Sequence, residues 1–342
     1  MPKPASESVQ LGRRRMALAL PLMAFGLVIP PVFAATGIHQ ASRTLMGTRV
    51  DLTLQGADAR LLEKASSAAL TEMTRLADMM SRYQPVSALN AINLMAGIQP
   101  VIVPKELMQV LLMARHANLT SKGAFDATVG SLQGWNFDVN SPMVPSPTEV
   151  QRTLRLVGQR DGLVLDEQTG TAYLKKRGMR LDLGGIAKLP ILQAGLQQLQ
   201  SHGVNNAMIN GGGDVIVNGT LNQRPWRIGL RDPRQPDKVL GAVEMTRGFV
   251  AASGDYERFF IRDGKRLHHI LDPKNGYPTQ GPHGIALISD SLEDINGLGT
   301  AIMVSGSKRG QSLISRTPAM DGLIVDANQS LWLSPGMRQR LS

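Results

Sequence analysis

The apolar residues change period along this chain, and that change constrains the fold more than any other feature. Val50, Leu52 and Leu54 alternate as in a strand, and Leu62, Ala65, Ala69, Met73, Leu76 and Met80 then recur at helical spacing behind a cap at Asp58. Leu107, Leu111 and Ala114 predict a second helix over about 105–121. Ser146, Pro147 and Glu149 form a capping box that starts a third. Leu192, Leu196 and Leu199 mark a helix stopped by Gly203. Beyond it the pattern shortens to strands, near 207–217, 226–231, 241–252, 257–262, 267–271 and 284–289. A helix near 293–305 and a strand pair near 322–333 follow. No linker rich in Pro, Gly or Ser divides the chain. Helices early and antiparallel-looking strands late imply an α+β architecture.

With 342 residues, 42% hydrophobic and 19% charged, the chain can bury a sizeable core, and its 35 glycines and 20 prolines form no repeat, which excludes fibrous and disordered classes. It has no cysteine. Disulfide scaffolds, thiolate metal sites, iron–sulfur clusters and a cysteine nucleophile are therefore excluded, and any metal must bind through oxygen or imidazole.

Residues 1–35 have the layout of an export signal: Arg13, Arg14 and Arg15, an apolar run from Met16 to Phe33, and small residues at Ala34 and Ala35 where cleavage would fall. A retained anchor is the alternative, since about 20 apolar residues just span a bilayer. Pro21, Pro30 and Pro31 favour removal. The arginine cluster fits a twin-arginine route as well as ordinary secretion. The expectation is a periplasmic protein whose residues 36–342 form a single domain. The formal charge of +10 falls to about +7 without Lys3, Arg13, Arg14, Arg15 and Glu7. With 4% aromatic residues and no lysine-rich run, a nucleic acid partner is not expected.

Five constellations could carry chemistry. In Leu181-Asp182-Leu183-Gly184-Gly185-Ile186-Ala187-Lys188 a short strand carries a carboxylate into a Gly-Gly turn, and a helix begins beside a lysine. Such a turn suits a phosphate or a plain strand-to-helix connection. Asn210-Gly211-Gly212-Gly213-Asp214 reads as a bulge or as a place where a ligand presses on the backbone. Ser253 to Arg258 gathers hydroxyl, carboxylate and guanidinium groups between two strands, as a polar hairpin turn also would. His268 and His269, adjacent on a strand, should face opposite ways, so that one could serve as a general base while the other lies on the outer face. Asn296 and Thr300, at i and i+4 of the expected helix, would share a face and could offer oxygens to a hard cation.

In order along the chain, Leu45-Met46-Gly47-Thr48, Ser81-Arg82-Tyr83 with Ser87 and Asn93, Gly123 to Gly130, Trp135-Asn136-Phe137, Asp182 to Lys188, Asn210 to Asp214, Ser253 to Arg258 and His269 to Pro273 resemble the ApbE family of FAD:protein FMN transferases. The resemblance implies a T-fold-like α+β assembly of two lobes with FAD in the cleft between them. It implies an enzyme that joins the FMN half of FAD to a threonine or serine hydroxyl of a partner protein and releases AMP. The acceptor would be an FMN-carrying domain of an electron-transfer protein or a maturation factor, as in the exported NosX-like branch. By the same resemblance Met46, Tyr83, Ala124, Phe125, Asp126, Asp182, Lys188 and Ile270 would contact FAD, and His269 would take the hydroxyl proton. Gly185, Asn296 and Thr300 would hold magnesium.

Two anionic positions depart from the family pattern. Asn296 stands where aspartate is usual, and Leu189, Pro190 and Gln193 replace glycine, tyrosine and aspartate after the lysine. An amide ligates a hard cation without bringing charge, so cation affinity should fall and Asn296→Asp should restore it. The alternative function is therefore an FAD-binding protein with weak or no transferase activity, or an FAD pyrophosphatase.

Overall fold

The computed structural model describes residues 37–235 and 237–342. The export segment read at residues 1–35 lies outside the described residues. The chain opens with a hairpin, β1 (Gly37–Leu45) and β2 (Thr48–Gly56), followed by α1 (Ala59–Met79), whose cap Asp58 accepts from the N–H groups of Arg60 and Leu61. Next come α2 (Ala88–Leu94), β3 (Val101–Ile102), α3 (Lys105–Thr120) and a 3-10 turn, Ala127–Ser131. The stretch ends with α4 (Pro147–Leu154), α5 (Gln159–Gly162), β4 (Leu163–Asp166) and β5 (Thr171–Leu174). The predicted capping box at Ser146 and Glu149 is present. After α6 (Lys188–Ser201) the strands follow: β6 (Asn206–Gly211), β7 (Asp214–Asn218), β8 (Trp226–Arg231), β9 (Val239–Met245) and β10 (Arg247–Gly254). Then come β11 (Phe259–Arg262), β12 (Lys265–His268) and β13 (Gly284–Ser289). Three helices, α7 (Leu292–Ile295), α8 (Leu298–Ser305) and α9 (Ser307–Arg316), precede β14 (Met320–Val325), β15 (Leu331–Leu333) and α10 (Pro335–Arg340).

The spine is an antiparallel sheet in the order β1-β2-β6-β7-β10-β13-β14-β15. Its alternation sorts two cores. Ile216, Phe249, Ala251, Ile285, Leu287 and Ile324 face the helices, whereas Val215, Val217, Val250, Ala286, Ile288, Leu323 and Val325 face the β8–β9 ribbon with Trp226, Ile228 and Met337. Both faces of the central strands are covered, which is why β13 is buried at every position and reads as an unbroken apolar run. A three-stranded sheet, β3-β5-β4, packs with α2, α3 and α5 and carries the segments that approach the site. The α+β expectation holds.

The structure corrects four local expectations. The apolar runs at 207–217 and 241–252 are each two strands, not one: β6 and β7 pair as a hairpin, whereas β9 joins the β8 ribbon and β10 enters the main sheet between β7 and β13. The three glycines at 211–213 are no bulge: Gly212 (φ +70°) and Gly213 (φ +97°) are the two central residues of a tight turn joining the paired Gly211 and Asp214. Positive φ at both positions gives the twist that suits a two-residue hairpin. The segment around Asp182, expected as a short strand, belongs to no strand and runs directly into a turn at 184–186. The helix expected over 293–305 breaks at Asn296, whose backbone is extended (φ −66°, ψ 124°), and at Gly297, which is left-handed (φ +77°). Asn296 and Thr300 are thus not one turn apart on a continuous helix.

Candidate functional site

The Asp182 carboxylate is positioned by backbone on both sides. Leu181 N–H donates to Asn93 Oδ1 at 2.7 Å, and Asp182 N–H donates to the Ala127 carbonyl at 2.8 Å. Gly130 allows the 3-10 turn to lie against this segment, since a Cβ there would sit 2.7 Å from the Leu181 carbonyl carbon. So held, Asp182 accepts from Arg82 at 2.6 Å through Oδ2 and from the Gly184 N–H at 2.8 Å through Oδ1. The Arg82 guanidinium also lies 5.3 Å from the ring centre of Tyr83, which is 69% exposed.

The end of α3 shapes the next wall. Lys122 and Gly123, at φ +55° and +81°, reverse the chain, and Asn118 Nδ2 donates to the Phe125 carbonyl at 2.7 Å. Ala124 and Phe125 are buried in the main core. Asp126 spends both oxygens on the protein: Oδ1 accepts from the Thr128 N–H and hydroxyl, and Oδ2 accepts from the Gln159 N–H at 2.9 Å. Burial pushes its carboxyl up, against those hydrogen bonds. The carboxylate holds the turn together, and its place beside Phe125 and Asp182 is its link to the cleft.

Gly185 meets Thr300 and Phe125. A Cβ at residue 185 would lie 3.0 Å from Thr300 Oγ1 and 3.4 Å from the Phe125 ring, and the Gly185 backbone is not left-handed, so glycine serves close approach here. Gly297 closes the same corner, 3.2 Å from Ile186 and 3.1 Å from Ala117 measured from its own ideal Cβ. Asn296, 5% exposed, donates from Nδ2 to the Met113 sulfur at 3.5 Å.

Lys188, the first residue of α6, pairs with Asp214 Oδ2 at 2.9 Å, while Asp214 Oδ1 accepts from the Ala252 N–H at 2.9 Å. Burial opposes the Lys188 charge, but Asp214 and the more distant Glu257 outweigh it and hold its pKa above the usual lysine value. The tip of the β6–β7 hairpin rests on Thr48 through Gly212, beside the β1–β2 turn, where Met46 is held left-handed at φ +54°. A cavity of about 130 Å³ lies between this tip, Tyr256, Glu257 and the β8–β9 ribbon.

The two histidines divide their tasks differently from the expectation. His268 is not on an outer face: it is 3% exposed, and its Nε2 lies 2.8 Å from the Thr279 carbonyl, which fixes the Nε2–H tautomer when the ring is neutral. His269 lies just past the end of β12, with its ring edge-on to His268 and its Nδ1 buried with no hydrogen-bond partner. Burial, then His268, Arg258 and Lys188, push its pKa down to about 4. A neutral imidazole with a free nitrogen is thus set near a lysine ammonium. Ile270 is buried beyond it. Asp255, 6% exposed, ties down the adjoining loop through Arg234, Arg266 and His283 at 3.4, 3.3 and 2.9 Å.

The residues singled out from the sequence thus form a chain of neighbours. Tyr83, Arg82 and Asp182 lead through the Ala127 backbone to Phe125, Gly185 and Thr300, and Lys188 and Asp214 lead through Gly212 to the turn bearing Met46. Arg82 and Asp214 were not singled out, although both lie inside motifs that were, and each partners a residue that was. Met113 gave no sequence signal, because an apolar residue of an amphipathic helix reads as core. Among the described residues no group of three His, Asp or Glu side chains could hold a metal ion. The donor set at Gly185, Asn296 and Thr300 is all oxygen and neutral. Gly185 leaves room there that a side chain would fill, which suits a hard cation such as magnesium.

The family model described as "ApbE family" matches residues 46–324, so the chain belongs to the ApbE family. It is similar to the FAD:protein FMN transferase of Klebsiella pneumoniae (strain 342), 31% identical over 308 residues, covering 89% of this chain and 94% of that protein. It is likewise similar to the FAD:protein FMN transferase of Treponema pallidum, 31% identical over 280 residues and 77% of each chain. Among solved structures, the ApbE protein of Thermotoga maritima superposes with a TM-score of 0.82 at 30% identity, covering 90% of this chain and all of that one. The flavin transferase ApbE of Vibrio cholerae superposes at 0.77 with 25% identity and the same coverage.

Proposed function

We propose that this protein is an FAD:protein FMN transferase. FAD binds in the cleft bounded by Met46, Tyr83, Phe125, Asp182, Lys188 and Ile270. The Lys188 ammonium offsets negative charge on the diphosphate. A serine or threonine hydroxyl of the acceptor protein attacks the phosphorus on the FMN side, forming the new phosphoester as the bond from that phosphorus to the bridging oxygen breaks. AMP leaves with that oxygen. The hydroxyl proton passes to the neutral His269. His268, pinned on Thr279, packs against the ring of His269 and fixes its orientation. Gly185, Asn296 and Thr300 would hold magnesium, which supplies further charge neutralisation at the diphosphate when bound.

What supports this reading most directly is the likeness, over nearly the whole chain, to proteins named for this activity, together with a neutral His269 near Lys188. The test is incubation of the purified protein with FAD, magnesium and an acceptor domain. A flavin-fluorescent acceptor band that survives denaturation, with AMP released, is expected. FAD bound with no band, or FMN and AMP released without acceptor, would instead support the flavin-binding or pyrophosphatase reading that the neutral Asn296 motivates.

Residues 1–35 direct export, the protein works in the periplasm, and the acceptor is a domain of an electron-transfer or maturation protein. Among the described residues no helix is long and apolar enough to cross a membrane. A fusion of residues 1–40 to a reporter active only after export tests the address.

A further inference from the structure

The amide at residue 296 is oriented by a neighbour that the transferase chemistry does not use. Asn296 sits at the break between α7 and α8, and the Gly297 that follows packs close to Ala117 of α3, the Ile186 side chain and the Phe125 ring. Its Nδ2 lies 3.5 Å from Met113 Sδ. A thioether accepts weakly and donates nothing, so the NH2 end of the amide belongs on that side and Oδ1 on the other. Among the described residues neither Asn296 Oδ1 nor Thr300 Oγ1 has a hydrogen-bond partner within the protein.

We infer that Met113 is a positioning residue for the cation site: its sulfur holds the Asn296 amide so that Oδ1 joins Thr300 and Gly185 as a neutral oxygen ligand. The pair is matched. An aspartate at 296 would have only acceptor oxygens, one of them against the sulfur in a position 5% exposed, with no donor to compensate it. The charge gained for the cation would be offset by that uncompensated oxygen. Asn296→Asp alone should therefore not restore affinity, contrary to what the sequence suggests. The carboxylate becomes useful only when residue 113 can donate.

This inference rests on the transferase reading for the place of the cation, and its test reads the cation directly. Manganese is titrated into the FAD-loaded protein and free manganese is followed by electron paramagnetic resonance. Met113→Leu keeps the volume and removes the acceptor, and should weaken manganese binding by about fivefold or more. Asn296→Asp should stay within about twofold of wild type, and Asn296→Asp with Met113→Gln should bind about tenfold tighter than wild type. Should Met113→Leu fail to fold, Met113→Gln alone, whose side-chain oxygen can still accept, should match wild type. Wild-type affinity in a folded Met113→Leu, or equal tightening in Asn296→Asp with and without Met113→Gln, would overturn the inference. A wild-type protein that shows this manganese pattern and transfers no FMN would sink the transferase reading alone. Transfer with no such pattern would sink only the Met113 role.

Discussion

Lys188 and Asp214 face each other at 2.9 Å, one opening α6 and the other opening β7, so the ammonium that acts on His269 alongside Arg258 is already paired within the protein. An arriving diphosphate shares this ammonium with Asp214 instead of meeting a free charge, which sets Lys188 in place before FAD binds.

Breaking that pair should separate stability from function. The Asp214 side chain is 10% exposed, and Lys188→Met would leave its charge unpaired, lowering stability by about 1–3 kcal/mol. Adding Asp214→Asn should recover most of the loss in denaturant titrations, while FMN transfer stays abolished in both variants. Recovery of transfer in the double variant would remove Lys188 from the phosphate.

His269 should give the reaction an unusual acid limb. With its pKa near 4 the imidazole is neutral through the range where an ordinary histidine, near 6.5, titrates. The kcat/KM for acceptor should be level from pH 7 to below 6 and fall only toward pH 4. Between about 4 and 6.5 the unfolded chain binds the proton that the native ring refuses. Stability from this group therefore rises with pH across that window, is complete above 6.5 and is lost as pH falls through the native value. His269→Ala should flatten that slope, slow transfer by about 10²- to 10⁴-fold and leave FAD affinity within about threefold. An acid limb centred near 6.5, or equal losses of binding and rate, would assign the proton to another group.

Gly185→Ala tests the close approach to Thr300. Its backbone is one that alanine adopts without strain, so the thermal midpoint should move by a few degrees at most. The added methyl would come 3.0 Å from Thr300 Oγ1 and should raise half-saturating magnesium by about tenfold. An unchanged magnesium dependence would place the cation elsewhere.

Helices α1, α3, α4 and α6 and most strands were legible because their signals are local: the Asp58 cap, the Ser146 capping box and the alternation at 284–289 each involve a few consecutive residues; α2, α5, α9 and α10 were not read. The hairpin at 206–218 was not, because Gly212 and Gly213 sit inside an apolar run and only their positive φ marks the turn. β1 escaped notice because most of its residues are polar and exposed on an edge strand. The break at Asn296 depends on the left-handed Gly297, a conformation that spacing alone does not reveal. The site was legible as motifs, through Asp182, Lys188 and His269. The partners Arg82 and Asp214, and Met113 beside Asn296, become visible only when separate segments meet: Lys188 and Asp214 are 26 positions apart, and Arg82 and Asp182, like Met113 and Asn296, a hundred or more.

The order of strands in the main sheet also sets a clock on assembly. The cleft draws on the first hairpin at Met46 and on Thr300 near the far end, and β13, beside β10, follows most of the site residues in the chain. A polypeptide still emerging from the ribosome would have Lys188 and Asp214 in hand yet lack the wall at Thr300. Flavin capture must therefore wait for synthesis to be nearly complete, wherever in the cell that happens.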